Sequence, residues 1–146
     1  MARRRERGTT LSETAASMTI VVPLLLTILF AAVEVCQALT IKESLAQAAR
    51  EAARNLSIAY AEDPTVATNR SLQNALVFDN VRINSIVNDS RQFGDPVFDD
   101  KSDPPVVRVQ VSYQSGQYGL PVFPAVDPLK LAGKVNLEST SVYRVE

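Results

Sequence analysis

The sequence predicts an α+β protein in which one long N-terminal transmembrane α-helix continues into a small extracytoplasmic domain with an antiparallel sheet. Three observations carry that expectation. Residues 14–33 contain no charged side chain, and 15 of these 20 residues are Ala, Val, Ile, Leu, Met or Phe, fenced by Glu13 and Glu34. Beyond them, apolar residues recur at helical spacing as far as Ala59, with no glycine or proline until Pro64. Nearer the C-terminus, two runs alternate apolar and polar side chains, the pattern of half-buried strands.

The uncharged run comes first. At about 1.5 Å per residue it reaches ~30 Å, the thickness of a bilayer's hydrocarbon core. A chain of 146 residues has too small a core to surround such a helix on every side. A cleaved secretory signal typically has an apolar segment of only ~7–15 residues. A retained span over about residues 14–33 is therefore the simpler reading. Arg3, Arg4, Arg5 and Arg7 precede it against a single Glu6, so the first eight residues carry +3 while the whole chain carries −1. By the bias of basic residues toward the cytoplasmic side, the N-terminus is expected inside and everything after about residue 36 outside. The arginines thus serve as a topology signal, and no nucleic-acid partner is expected for a basic tail of eight residues lying against a membrane. Cys36, just past the span, reads as a small apolar residue.

Past the span, Ile41, Leu45, Ala48, Ala49, Ala52, Leu56 and Ala59 trace one helical face, with Gln47, Arg50, Glu51 and Arg54 on the other side. Alanine is the best helix former, and Pro23 removes only one backbone donor, which membrane helices tolerate. One helix from about residue 10 to 60 follows, roughly 75 Å long at ~1.5 Å per residue. Its alanine-rich seam (Ala46, Ala48, Ala49, Ala52 and Ala53) permits close approach, either to its own domain or to another subunit. The chain divides into a basic cytoplasmic leader (1–8), the long helix (9–60) and an extracytoplasmic α+β domain (61–146).

Within that domain, Asp63-Pro64 has the form of a helix cap followed by proline in the first turn. Val66, Leu72, Ala75 and Leu76 extend the signal into a short helix ending near Phe78. Val81, Ile83, Ser85 and Val87 alternate as a first strand would. Residues 88–105 read as a polar, turn-rich stretch. Val107, Val109, Val111 and Tyr113 alternate with Val106, Arg108, Gln110 and Ser112 as a strand. A loop through Gly116, Gly119, Pro121 and Pro124 leads to a second cap-plus-proline pair, Asp127-Pro128, and a turn of helix that Gly133 can close. A final alternating run occupies residues 135–145, with Leu137, Ser139 and Ser141 on one face and Glu138, Thr140 and Val142 on the other.

Composition excludes much of enzymology. The chain has no histidine and one cysteine, which removes Ser–His–Asp and Cys–His catalysis, an intrachain disulfide and cysteine or histidine zinc sites. Asp95, Asp99, Asp100 and Asp103 lack the alternate-residue spacing and central glycine of a calcium loop, and read as a solvated turn. Neither a cofactor nor a metal is expected.

The order of a basic leader, Gly8-Thr9-Thr10-Leu11-Ser12-Glu13, then Val22-Pro23-Leu24-Leu25-Leu26, then Ala48-Ala49-Arg50-Glu51-Ala52-Ala53-Arg54 resembles the TadE-like family. Its members are minor pilin-like proteins of bacterial tight-adherence (Tad/Flp) pilus systems. The closing Ser139-Thr140-Ser141-Val142-Tyr143-Arg144-Val145-Glu146 is also similar to how these proteins end. Thr14 is a departure, since an aromatic usually follows the glutamate. The resemblance implies a non-enzymatic, pilin-like fold in the bacterial inner membrane, with the C-terminal domain outside. It further implies cleavage after Gly8 by a pilin-type leader peptidase, leaving Thr9 first and Glu13 fifth in the mature chain. Glu13 would then contact a neighbouring subunit. The implied partners are the lipid bilayer, other pilin-like subunits and the inner-membrane pilus assembly platform. The alternative is a membrane-tethered extracytoplasmic binding or carrier domain that is neither processed nor built into a filament.

Overall fold

The computed structural model describes residues 3–79, 86–114 and 136–145. One helix, α1, runs over Arg3–Glu62. It is followed by a 3-10 turn at Pro64–Ala67, a five-residue helix α2 at Arg70–Asn74 and a π-helical turn at Ala75–Asp79. A second 3-10 turn at Ser90–Gln92 leads into strand β1, Val97–Asp99. Strands β2, Val106–Gln114, and β3, Asn136–Arg144, complete an antiparallel sheet of order β1-β2-β3. The architecture is α+β: one long apolar helix and one small antiparallel sheet.

α1 starts earlier than the sequence suggests, at Arg3 rather than near residue 10. Arginine and glutamate are good helix formers and Gly8 alone costs only about 1 kcal/mol, so a helix already nucleated downstream propagates through it. Beyond the apolar stretch, the helix packs on β2 and β3. Ile41, Leu45, Ala48, Ala49, Ala52, Ala53 and Leu56 are buried against Val107, Val109, Val111 and Tyr113, with Leu137 of β3 packed at the edge. The alanine seam therefore packs on the protein's own sheet. Small side chains bring the helix backbone close, and the leucines at either end fill the space. Burying each leucine contributes about 1.5–3 kcal/mol.

β2 follows its alternation residue by residue, and β3 follows it as far as Val142, after which Tyr143 and Arg144 are both exposed. Along β2, Val107, Val109, Val111 and Tyr113 are buried while Arg108, Gln110 and Gln114 are exposed. On β3, half-buried Leu137, Ser139 and Ser141 alternate with exposed Asn136, Glu138 and Thr140. The register pairs Tyr113 with Leu137 and Val107 with Tyr143, and Gln110 donates a hydrogen bond to Glu138 across the outer face (2.9 Å).

Two local expectations need correction. The helix expected over about 64–78 is broken. Asp63 caps the 3-10 turn by accepting from the Thr65 amide (2.9 Å), but Asn69 then starts a new helix by accepting from the Leu72 amide (3.3 Å). The break is held by buried Gln73, which donates to the carbonyls of Val66 (2.7 Å) and Ala67 (2.9 Å). The polar stretch 88–105 contains β1, whose three residues are too few to show alternation and are recruited by pairing with β2. Val87 is buried in the core. Val81, Ile83 and Ser85 of the expected strand lie outside the described residues, as do the Gly116–Pro124 loop and the helical turn after Asp127-Pro128.

Gln92 ties this irregular segment to the sheet. Its side chain is fully buried; its oxygen accepts from the Asn88 (2.9 Å) and Asp89 (3.0 Å) amides, and its amide donates to the Ile86 (2.8 Å) and Ser112 (3.3 Å) carbonyls. Replacing it with leucine keeps the volume and strands these buried groups. Gln92→Leu should lower stability by about 1–3 kcal/mol in denaturant titration; an unchanged midpoint would mean that the segment repairs itself with water.

Candidate functional site

The residues singled out by the sequence lie at the start of α1. Arg3, Arg4, Arg5, Arg7, Gly8 and Thr9 are all within the helical backbone. Thr9 sits one turn before Glu13. Glu13 is exposed, and its carbonyl accepts a hydrogen bond from Ser17 Oγ (2.9 Å). Cleavage candidate, glutamate and apolar stretch thus follow one another on a single helix.

The apolar stretch that follows has the character of a membrane span. Met18, Ile20, Val21, Val22, Leu24, Leu25, Leu26, Ile28 and Leu29 are exposed, and 6% of the most apolar 18-residue window is buried. A core helix of a soluble domain would show the reverse. Its hydroxyls are satisfied within the helix: Thr19 Oγ1 donates to the Ala15 carbonyl (2.9 Å) and Thr27 Oγ1 to that of Pro23 (2.8 Å). Such internal pairing is what hydrocarbon demands of polar groups. By length and composition, α1 can cross a membrane.

The change from exposed helix to packed helix occurs at Glu34. Phe30 and Ala31 are half-buried, Glu34 is fully buried, and Ala38, Ile41 and Leu45 continue the same stripe. The sequence marked Glu34 only as the fence of the uncharged run. Its place one helical turn after residues 30–31 and one before Ala38 was the available signal that it belongs to the packed face. Cys36, two residues on, is exposed.

Away from α1, charged groups are engaged mostly at the surface. Arg70 pairs with Asp95, and Arg91 holds Asp89. The Arg91 guanidinium and backbone amide together pull the Asp89 carboxyl down to about 2. Tyr60 donates to Asp100 (2.5 Å) and its ring lies 5.1 Å from that of Phe98. The bond to Asp100 raises the Tyr60 hydroxyl above its ordinary value, since ionisation would break it and set two negative charges together. These contacts fasten the β1 end of the sheet to the top of α1. Among the described residues, no three of His, Cys, Asp and Glu stand together as a metal-ligand set.

Among the described residues there are also surface concavities, two of which involve charged side chains. One of about 430 Å³ opens beside β1 and is lined by Phe98, Asp99, Asp100, Lys101 and Arg108, among others. A second, of about 200 Å³, lies between α1 and β3 and is lined by Arg54, Ser57, Ile58, Tyr143 and Arg144. Sequence reasoning missed the second, because it joins residues 90 positions apart that only the packing of β3 on α1 brings together.

Comparison with known proteins finds no match among curated proteins or solved structures. It does find a family. Residues 14–54 match the model of the TadE-like protein family, beginning at the first residue of the apolar stretch and ending on the last turn of the alanine seam. Gly8, Thr9, Glu13 and the four arginines precede the matched segment. Over residues 14–54, the apolar stretch and most of the packed part of α1, the chain is similar to the TadE-like family.

Proposed function

We propose that this protein is a single-span inner-membrane protein that takes part in assembling Tad/Flp-type pili, with its N-terminus cytoplasmic and its sheet domain outside. The observation that carries the reading is the coincidence of the TadE-like segment with an exposed apolar helix that leads directly into a packed domain. Its work is structural rather than enzymatic. Lipid surrounds residues 14–33, the domain meets other pilin-like subunits, and the assembly platform receives the helix.

In this reading, a pilin-type leader peptidase hydrolyses the Gly8–Thr9 bond. Water adds across the peptide, leaving a carboxylate on Gly8 and an ammonium on Thr9. Both residues are helical in the intact chain, so the peptidase must first unwind one turn. Gly8 lowers that cost, since glycine is about 1 kcal/mol less favourable than alanine in a helix. The new ammonium then lies one turn from Glu13, at the edge of the hydrocarbon, where a neighbouring subunit's Glu13 can neutralise it.

Mass spectrometry of the membrane-extracted protein, from cells with a working pilus system, should show a chain starting at Thr9. Gly8→Leu should block the cut by crowding the cleavage site, while leaving membrane levels unchanged. Persistence of Met1 or Ala2 in the wild-type protein would refute the processing and leave the unprocessed, membrane-tethered binding domain as the better account.

A further inference from the structure

The cleft between α1 and β3 has an unusual charge. Arg54 and Arg144 both line it, beside Ser57, Ile58 and Tyr143. Among the described residues, the ion pairs are Arg70–Asp95 and Arg91–Asp89, so neither cleft arginine has a carboxylate partner. Ser57 is buried and turns its hydroxyl back to the Arg54 carbonyl (2.8 Å), which leaves the two guanidiniums and the Tyr143 hydroxyl as the polar side-chain groups of the cleft. Two like charges around one concavity are stabilised by an anion, and the planar guanidinium fork suits a carboxylate in bidentate fashion.

The height of the cleft selects the source of that anion. Arg54 follows Val33 by 21 residues, or ~30 Å of helix. The headgroup layer adds only about 5–8 Å to each side of the hydrocarbon. A lipid phosphate is therefore out of reach, and a protein carboxylate is not.

The sheet supplies one. Asp99 pairs with Val106 and Val106 with Arg144, so Asp99, Val106 and Arg144 form a single rung running from the β1 edge to the β3 edge. An acid stands at one end of the rung and a base at the other, two strand spacings apart, or ~10 Å. Asp100 and Asp103 are exposed in the turn that follows β1. Lys101 and Arg108 lie near them, so the β1 edge keeps one carboxylate in excess, while the two arginines opposite stand without acidic partners. Asp99 accepts from the Lys101 amide and Asp100 from Tyr60, and each carboxylate keeps further lone pairs for a guanidinium.

We infer that copies of this protein associate side by side in the membrane, with the 99–103 turn of one copy seated in the Arg54–Arg144 cleft of the next. The inference rests on the membrane anchoring proposed above but on neither processing nor pilus assembly. Parallel anchored helices hold every copy at the same depth, so a lateral contact must join surfaces at similar height; Tyr60 of α1 meets Asp100 at one edge, and Arg54, Ser57 and Ile58 line the cleft with Arg144 at the other, a span of at most ~9 Å along the helix. The contact is head-to-tail. Each copy therefore offers a free acidic edge and a free basic cleft, and the array extends or closes into a ring.

The test uses the full chain in membranes, with Cys36→Ser throughout. One tagged copy carries Ser102→Cys beside the acidic turn, and a differently tagged copy carries Tyr143→Cys in the cleft. Oxidation should cross-link the two tags well above the pairs that put Ser102→Cys, or Tyr143→Cys, in both copies. Arg54→Glu with Arg144→Glu in the cleft copy should abolish the cross-link, and Asp99→Lys with Asp103→Lys in the other should restore it. Restoration also shows that the reversed chains are folded. About 1 M salt, where screening acts over ~3 Å, should weaken the cross-link between unreversed copies. Cross-linking no greater than in the same-edge pairs, or indifferent to charge reversal, would overturn the inference. Processing at Gly8 and the membrane fraction, measured in the same cells, report separately on the proposed function.

Discussion

Ala52→Glu should unfold the sheet domain while leaving the apolar helix in the membrane. Ala52 is fully buried, between α1 and the sheet. A glutamate there either stays charged without a partner, which costs several kcal/mol, or is protonated and still overfills a site built for a methyl group. Small domains hold only about 5–15 kcal/mol in reserve, so most of the stability goes. Gln47→Glu is the control. Gln47 is exposed on the same helix, and the same new charge should change stability by less than about 0.5 kcal/mol. Limited proteolysis of detergent-extracted protein would read both: rapid loss of the domain for Ala52→Glu, a wild-type pattern for Gln47→Glu. Wild-type resistance in Ala52→Glu would mean that the seam is not closed by the protein's own sheet.

On the proposed function, Glu13→Ala should lower pilus assembly at unchanged membrane level. Glu13 is exposed in the isolated chain and stands immediately before an uncharged stretch of 20 residues. A carboxylate at that boundary is costly to insert, and charged groups at membrane depth are functional candidates by default. Alanine removes the insertion cost, so the monomer should enter the membrane at least as well as wild type. In the assembled state, the Thr9 ammonium of a neighbouring subunit would lose its counter-charge in a medium of low dielectric, a penalty of a few kcal/mol. Quantitative immunoblotting of membranes beside a count of surface pili separates the two effects. Normal piliation in Glu13→Ala would reduce the residue to an interfacial cap favoured by the helix dipole.

What the sequence made legible follows from the length of its patterns. α1 repeats its apolar face over many turns, β2 alternates over nine residues and β3 over its first seven; periodicities sustained that long have one structural solution. The alanine seam was legible as a packing face, but a face does not name what it packs on, and only the sheet's position assigns it to the same chain. Short elements carried too little pattern. β1 has three residues and exists through its pairing with β2. The break before α2 depends on a glutamine reaching back to the Val66 and Ala67 carbonyls. Gln73, Gln92 and Glu34 are polar residues by type and buried by circumstance. The spacing of Asp89 and Gln92 was one available clue, since together they form a capping box. Of the candidate site, Gly8, Thr9 and Glu13 came from resemblance, whereas the Arg54–Arg144 cleft needed tertiary contact to exist at all.

In the proposed topology, α1 lies half in lipid and half in a folded domain on the outer side. Thiol accessibility tests this directly, using single cysteines at Ser12, Leu25, Glu43 and Glu62 in a Cys36→Ser background and a membrane-impermeant maleimide added to intact spheroplasts. The expected result is labelling at Glu43→Cys and Glu62→Cys, protection at Leu25→Cys, and labelling at Ser12→Cys only after permeabilisation. Labelling of Leu25→Cys in intact membranes, or of Glu62→Cys only after permeabilisation, would contradict it.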